Sequence, residues 1–505
     1  MTTPQAESVD LLIVGGGING AGIARDAAGR GLSVLLVEQD DLASHTSSAS
    51  TKLIHGGLRY LEYGEFRLVR EALIERERLL GLAPHIIWPL HFVLPQTQSP
   101  RPAWMVRLGL FLYDHLGGRE RLPGTRTVAL ERSPLGDRLS QRRGKAFVYS
   151  DCWVEDSRLV VLNAMDAAER GATILTRTRL VAARRDAAGW TATLQPADGA
   201  AYTVRARALV NAAGPWVADV MGRAAATQAN RGVRLVKGSH IVVPRLYDGD
   251  HAFMLQNDDR RIVFAIPYEG RFTLVGTTDE PWTDPPGKAS IGSAETHYLL
   301  DTINRYFTRP TGEGDIVWSY AGIRPLYDDH AASASAVTRD YVLDLDTGDA
   351  GGTSQAPILT IFGGKITTYR KLAEHALREL ARVLPATGVA WTGGVSLPGG
   401  DIAGGDVAAF VARLIADRPA LPPALLHRLA RAYGTRVAVL LGTARAPADL
   451  GEDLGGGLHT LEVEYLVTHE WARTAEDVLF RRSKLGLHVP AGTTERLSAY
   501  LGARR

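Results

Sequence analysis

Two sets of residues in the 505-residue chain have types and settings suited to chemistry on a small anionic molecule. The first is cationic. Arg59 lies in His55-Gly56-Gly57-Leu58-Arg59-Tyr60, Arg324 in Gly322-Ile323-Arg324-Pro325, and Lys365 follows Gly363-Gly364, so each sits in a Gly- or Pro-bounded turn beside a segment of strand character. A phosphate monoester carries nearly two negative charges at neutral pH, and several cations, with Arg preferred for its two-pronged hydrogen bonding, would hold it. The second is His240, which follows Lys237-Gly238-Ser239 at the mouth of a run of short strands. Oxidising a secondary alcohol needs a base that takes the O–H proton while hydride leaves the same carbon, and histidine is the usual choice near neutral pH. His55 is a second candidate. Taken singly, any one Arg of this Arg-rich chain also reads as solvated surface charge, and His240 as a histidine that merely satisfies a loop.

A nucleotide site is written more firmly. Gly15-Gly16-Gly17-Ile18-Asn19-Gly20 fits the G-x-G-x-x-G spacing between the apolar run Val9 to Val14 and a small-residue helix from Ala21 to Arg30. Gly15 permits the tight turn, Gly17 lets a pyrophosphate approach the backbone, and Gly20 lets helix and strand pack closely. The helix N-terminus then offers unpaired N–H groups and partial positive charge to the phosphates. Glu38 ends the next strand, Ser33 to Val37, where a carboxylate accepts ribose hydroxyls and repels a 2′-phosphate, which disfavours NADP.

The glycine turn does not separate FAD from NAD, but the residues after Glu38 favour a flavin. Ser44 to Lys52 is small and hydroxyl-rich, and with Leu53, His55 and Gly57 it can run along a flavin and leave room for its ring. Thr46, Ser47, Ser48 and Lys52 are the expected cofactor contacts of that stretch. Gly214, in Asn211-Ala212-Ala213-Gly214-Pro215-Trp216, marks a return to the same sheet. Gly364, Lys365, Ile366 and Thr367 open a helix whose N–H groups can face the electron-rich edge of a reduced flavin. A helix start that only caps is the plainer reading of that segment.

These residues need a scaffold. Strand, turn, helix and strand from Val9 to Glu38 form the unit of a parallel sheet. Glu65 to Leu82 reads as mostly helical. Short strands at His240 to Pro244, Ala252 to Gln256, Arg261 to Pro267 and Phe272 to Gly276, separated by Gly, Asp and Pro, imply a second, antiparallel sheet. Leu359 to Phe362 is a further strand, closed by a helix from Lys365 to Leu380. After the linker at Pro398-Gly399-Gly400 the pattern turns helical from Val407. The expected class is α/β: a Rossmann-like FAD-binding domain interleaved with an antiparallel substrate sheet over 1–388, the sheet mainly within 225–355, and a C-terminal helical domain over 389–505.

Charge and cysteine content restrict partners. The 57 Lys and Arg nearly balance 55 Asp and Glu, so no global field argues for nucleic acid. Cys152 is the only cysteine, which rules out an internal disulfide framework and a cysteine zinc site and suits a reducing compartment; no metal is expected. The polar stretch Met1 to Ser8 does not read as a secretory signal. The apolar run Ala103 to Tyr113, interrupted by Arg107, is shorter than the roughly 20 residues a bilayer-spanning helix needs. It reads as a buried helix or, with Trp104, Met105 and Phe111, as a helix lying in a lipid interface; the basic segment Arg473 to Lys484 around Phe480 is the other candidate for lipid contact.

Over nearly its whole length the chain resembles the FAD-dependent glycerol-3-phosphate dehydrogenases of the aerobic, respiratory kind. The resemblance is carried by Gly15 to Gly22, by Ser47-Ser48-Ala49-Ser50 with Lys52 to Glu62, by Lys237-Gly238-Ser239-His240, by Gly322-Ile323-Arg324-Pro325-Leu326, and by Phe362 to Lys371. It implies FAD as cofactor and a cap of the D-amino-acid-oxidase-like type. It also implies oxidation of sn-glycerol 3-phosphate to dihydroxyacetone phosphate by hydride transfer to flavin N5, with His240 as base. Arg59, Tyr60, Arg324 and Lys365 are then expected to line the substrate pocket. The implied electron acceptor is a membrane quinone, reached by a cytoplasmic protein bound peripherally to the membrane. Oligomeric state stays open, a homodimer being compatible. The competing readings are an oxidase using O2 on the same substrate, a flavin oxidoreductase of another small amine or 2-hydroxy acid, and a nucleotide-binding scaffold without turnover.

Overall fold

A computed structural model of the protein describes residues 8–224, 232–327, 340–348, 355–384 and 388–504, which leaves Met1 to Glu7 and parts of the 225–355 stretch outside the described residues. Strands Ser8–Val14, Val34–Val37, Thr173–Leu175, Tyr202–Asn211 and Ile358–Phe362 pair in parallel. Their near-continuous Val, Ile and Leu follow from burial on both faces. Helices Ile18–Gly29, Asp156–Glu169 and Tyr369–Leu380 pack together beside this sheet, and antiparallel strands extend it to eight.

The second sheet has ten strands and is mostly antiparallel. Strand Val233–Pro244 pairs with Phe272–Gly276 on one side and Trp318–Tyr327 on the other, which sets His240 opposite both Gly276 and Tyr320, and Val236 opposite Arg324. The sheet reaches well beyond the stretch 225–355 expected to supply most of it. Leu53–Ile54, Ile87–Pro95, Arg126–Ala129 and Lys145–Val154 all belong to it. The join is a short parallel pairing of Ala252 and Phe253 with Phe92 and Val93, a contact between distant segments that local pattern does not announce.

Two surface expectations change. The helix Ala103–Leu116 buries only one stripe, Val106, Leu110 and Tyr113, and presents Trp104, Leu108 and Phe111 to the outside. It is a half-exposed helix, not a buried one. Arg473 to Lys484 behaves in the opposite way: Phe480 packs against Trp318, while Arg481 and Arg482 are buried, so the arginines expected at a lipid surface face protein. Among the described residues no helix is long and apolar enough to cross a membrane.

The C-terminal helices, among them Val407–Asp417, Pro423–Tyr433, Thr460–Glu470 and Thr493–Gly502, dock on the sheet domain through these buried charges. Asp41 accepts from Arg481 Nε at 2.8 Å and from both terminal nitrogens of Arg482 at 2.9 Å. Arg158 pairs with Glu470 across the same interface. Breaking a buried pair by removing one partner leaves an uncompensated charge and costs about 3–5 kcal/mol. Asp41→Ala is therefore expected to lower the thermal transition by several degrees and to expose the C-terminal helices to protease, with Asp41→Asn milder; a wild-type melting curve for Asp41→Ala would contradict this docking role.

Candidate active site

The carboxyl ends of the parallel strands converge on a crevice, the place where open α/β sheets bind ligands. Strand Ser8–Val14 runs into Gly15 at φ +116°, and a Cβ there would fall 2.5 Å from the Ala212 carbonyl oxygen. At Gly20 a Cβ would fall 1.9 Å from the Gly15 carbonyl oxygen, so helix and strand approach to a distance that only glycine allows. Glu38 accepts N–H bonds from Gly16 at 2.7 Å and Asp40 at 2.8 Å, which fixes its carboxylate at the crevice edge, while burial pushes its carboxyl above the ordinary range. Gly15, Gly17, Ile18, Asn19, Glu38, Thr46, Ser47, Gly214 and Gly364 line a cavity of about 140 Å³.

A second cavity of about 230 Å³ shares Ile18, Thr46, Ser47, Pro325, Gly363 and Gly364 with the first, so the two form one elongated cleft. Its far end holds His240, His55, Tyr60, Arg324, Lys365, Ile366, Thr367 and Leu53. The groups present suit a dinucleotide. Gly17 and the open first turn of helix Ile18–Gly29 would meet the diphosphate, and Glu38 would offer lone pairs to the ribose hydroxyls. The buried Asn19 Oδ1 has no partner among the described residues, which leaves an acceptor in the cleft. Residues of the segments Thr46–Thr51 and Gly363–Thr367 bound the wider end, where the flavin ring would lie.

His240 is 2 % exposed, so its ring is removed from bulk water. Thr51 Oγ1 lies 3.0 Å from Nε2, the Tyr320 ring stacks on the imidazole at 4.7 Å and 16°, and Nδ1 has no partner among the described residues. Burial, with the charges of Lys52 and Arg324, holds His240 well below the usual histidine range, so the ring is neutral and able to accept a proton at pH 7. His55 is also lowered by burial, and its backbone N–H donates to Thr367 Oγ1 at 3.2 Å.

Arg324 Nη2 is aimed by the Thr278 carbonyl at 2.8 Å and Asp279 Oδ1 at 2.6 Å. Lys365 Nζ lies 3.7 Å from the centre of the Tyr60 ring, so Tyr60, Arg324, Lys365 and His240 share one chamber. Arg59 does not join them: its guanidinium donates to Tyr63 and lines a separate apolar cleft against helix Ala103–Leu116. Three expected cofactor residues also lie elsewhere. Lys52 is completely buried and spends its ammonium on Asp156 and the Ser48 carbonyl. Ser48 faces a neighbouring cavity bounded by the C-terminal segment, and Gly57, at φ +78°, serves to seat the Tyr60 ring, which a Cβ would meet at 2.2 Å.

Sequence reading did not single out Thr51, Tyr320, Gly276 or Asp279. Thr51 adjoins Lys52 in the hydroxyl-rich stretch, but nothing local ties the other three to His240.

The family model described as "FAD dependent oxidoreductase" matches residues 10–370, and a second, described as "C-terminal domain of alpha-glycerophosphate oxidase", matches 390–499. The chain belongs to the FAD dependent oxidoreductase family. FAD is accordingly its cofactor, and the α/β fold with its C-terminal helical domain is that of the family. A glycerol-3-phosphate dehydrogenase of Pseudomonas aeruginosa is 55% identical over 99% of this chain and 96% of its own length. A D-erythritol 1-phosphate dehydrogenase of Brucella abortus is 54% identical over 96% of each. The solved glycerol-3-phosphate dehydrogenase of Bacillus halodurans, complexed with FAD, matches with a TM-score of 0.74 at 27% identity, covering 95% of this chain and 87% of that one.

Within this family member His240 has little freedom, because a Cβ on Gly276 would sit 2.1 Å from its Cδ2. Gly276→Ala is expected to retain FAD yet slow flavin reduction about a hundredfold by displacing the ring, measured by anaerobic bleaching at about 450 nm. An unaltered rate would show that the position of this imidazole does not govern the reaction.

Proposed function

We propose that the protein oxidises sn-glycerol 3-phosphate to dihydroxyacetone phosphate and passes the electrons to a membrane quinone. The observation that carries the proposal is the meeting of a neutral buried imidazole with Arg324, Lys365 and Tyr60 at the wide end of the dinucleotide cleft. Bound FAD supplies the hydride acceptor. In this reading Arg324 and Lys365 hold the phosphate, and the secondary hydroxyl is presented in the same chamber to His240, which takes its proton. The phosphate's charge also offsets the two cations that depress His240, so substrate raises the proton affinity of its own base.

A second reading has a definite basis, since a relative as similar as the Pseudomonas one is named for D-erythritol 1-phosphate. Both substrates pair a phosphate with a nearby secondary alcohol. Anaerobic bleaching by each decides: a higher kcat/KM for glycerol 3-phosphate supports the proposal, and a tenfold preference for the tetritol phosphate replaces it. Arg324→Ala is expected to raise KM at least tenfold, and His240→Ala to slow reduction about a hundredfold while substrate still binds. Because His240 sits below its ordinary value, the acid limb of reduction should fall below pH 6.5, the unperturbed histidine value, in the free enzyme. A limb above it would assign the base elsewhere.

The acceptor reading rests on the stripe Trp104, Leu108 and Phe111, at 71%, 52% and 50% exposure, with Phe66 and Tyr63 beside it. It lies on a helix too short to span a bilayer and suited to lying in its interface. Trp104→Glu with Phe111→Glu should release the protein from anionic vesicles while leaving activity with a soluble dye intact; unchanged sedimentation with vesicles would remove this helix from the membrane surface.

A further inference from the structure

The C-terminal domain reaches toward the active chamber through Lys484, which comes just after the helical turn Asp477–Arg482 with φ +59° and a side chain only 9% exposed. Its Nζ lies 3.5 Å from Asp156 Oδ1. Asp156, wholly buried at the start of helix Asp156–Glu169, already accepts from Lys52 Nζ at 3.0 and 2.9 Å and from Ser50 Oγ at 2.8 Å. One carboxylate therefore sits between two buried ammonium groups. The loop from Ser48 to Lys52 closes around it: Lys52 Nζ donates to the Ser48 carbonyl at 3.0 Å, and the Lys52 N–H to Ser50 Oγ at 2.9 Å. Lys52 holds φ +59°, a left-handed conformation that a side chain rarely adopts without such anchoring.

The same loop supplies the immediate supports of His240. Thr51 touches Nε2, the Ser50 carbonyl accepts from Tyr320 O–H at 2.8 Å, and Tyr320 stacks on the imidazole with Lys52 Nζ 5.0 Å from its ring centre. A continuous set of contacts thus runs from Lys484 through Asp156, Ser50 and Lys52 to Thr51, Tyr320 and His240.

We propose that Lys484 is a positioning residue for the reaction, by which the C-terminal domain holds the loop that orients the proton-accepting histidine. The inference rests on the reading of His240 as base. Without Lys484, Asp156 keeps one counter-charge in place of two, and the neighbouring, half-buried Glu155 loses the cation that most favours its ionised form. The buried Asp156 and the half-buried Glu155 then compete for Lys52, and the ammonium that anchors the loop is drawn from the Ser48 carbonyl. Among the described residues, the charged and titratable groups facing His240 are Lys52 from the loop and Tyr320 and Arg324 from strand Trp318–Tyr327, with Lys365, Tyr60 and His55 lining the same chamber.

The test uses the FAD-loaded full chain and single-turnover reduction by glycerol 3-phosphate across the pH range where histidine titrates. Lys484→Met is expected to keep FAD and a KM within about twofold, to slow reduction about tenfold, and to move the acid limb upward because Lys52, one of the cations that depress His240, is drawn away from it. Lys484→Arg should restore both. A residue that only braces the domains would lower the melting temperature and leave the rate and the pH profile in place, and that result overturns the proposal. Ser50→Ala deletes one hydroxyl from the same set and decides the matter if Lys484→Met does not fold: slowed reduction supports the proposal, and a wild-type rate sinks it. His240→Ala run in parallel separates the two claims. If its reduction stays fast, the base is misassigned; if it is slow while Lys484→Met and Ser50→Ala match wild type, only the positioning role fails.

Discussion

Cations packed beside a buried histidine are the constraint on which the rest of this structure depends. Taking an ammonium or guanidinium out of water is expensive unless a carboxylate accompanies it. Lys52 has Asp156, Arg324 has Asp279, and Arg481 and Arg482 share Asp41. Each pair ties together segments remote in sequence, so satisfying the charges and assembling the domains are one event. His240 remains as the neutral member of the set, because protonating it in this buried place would add a further charge that no carboxylate among the described residues meets.

That arrangement has a chemical consequence. In the proposed reaction, a histidine held low by burial and by Lys52 and Arg324 is a weak base until substrate binds, and a dianionic phosphate brought between Arg324 and Lys365 would strengthen it. The backbone serves the same geometry. Gly276 gives the imidazole room, Gly57 seats Tyr60, and Gly15 with Gly20 brings the first helix against its strand, each at a contact shorter than any Cβ tolerates.

The exposed stripe on Ala103–Leu116 and the buried arginines of Asp477–Arg482 show how composition can mislead about surfaces. Both segments mix basic and aromatic residues. One keeps Trp104 and Phe111 outside because its opposite face already fills the groove with Val106, Leu110 and Tyr113; the other turns its arginines inward because Asp41 and Glu470 wait there.

The dinucleotide turn, the parallel unit from Val9 to Glu38, the strands from His240 to Gly276 and the helical C-terminus were legible in the chain, since glycine spacing and hydrophobic period act over neighbouring residues. His240, Arg324 and Lys365 were marked by their turns and by family resemblance, and local pattern could name them without placing them. Folding decided the company they keep. Tyr320 reached His240 through the pairing of two strands eighty positions apart, Arg59 turned away from its neighbour Tyr60 because successive residues of a tight turn point in different directions, and Lys52 went to Asp156 because a buried ammonium must find its carboxylate wherever the chain brings one.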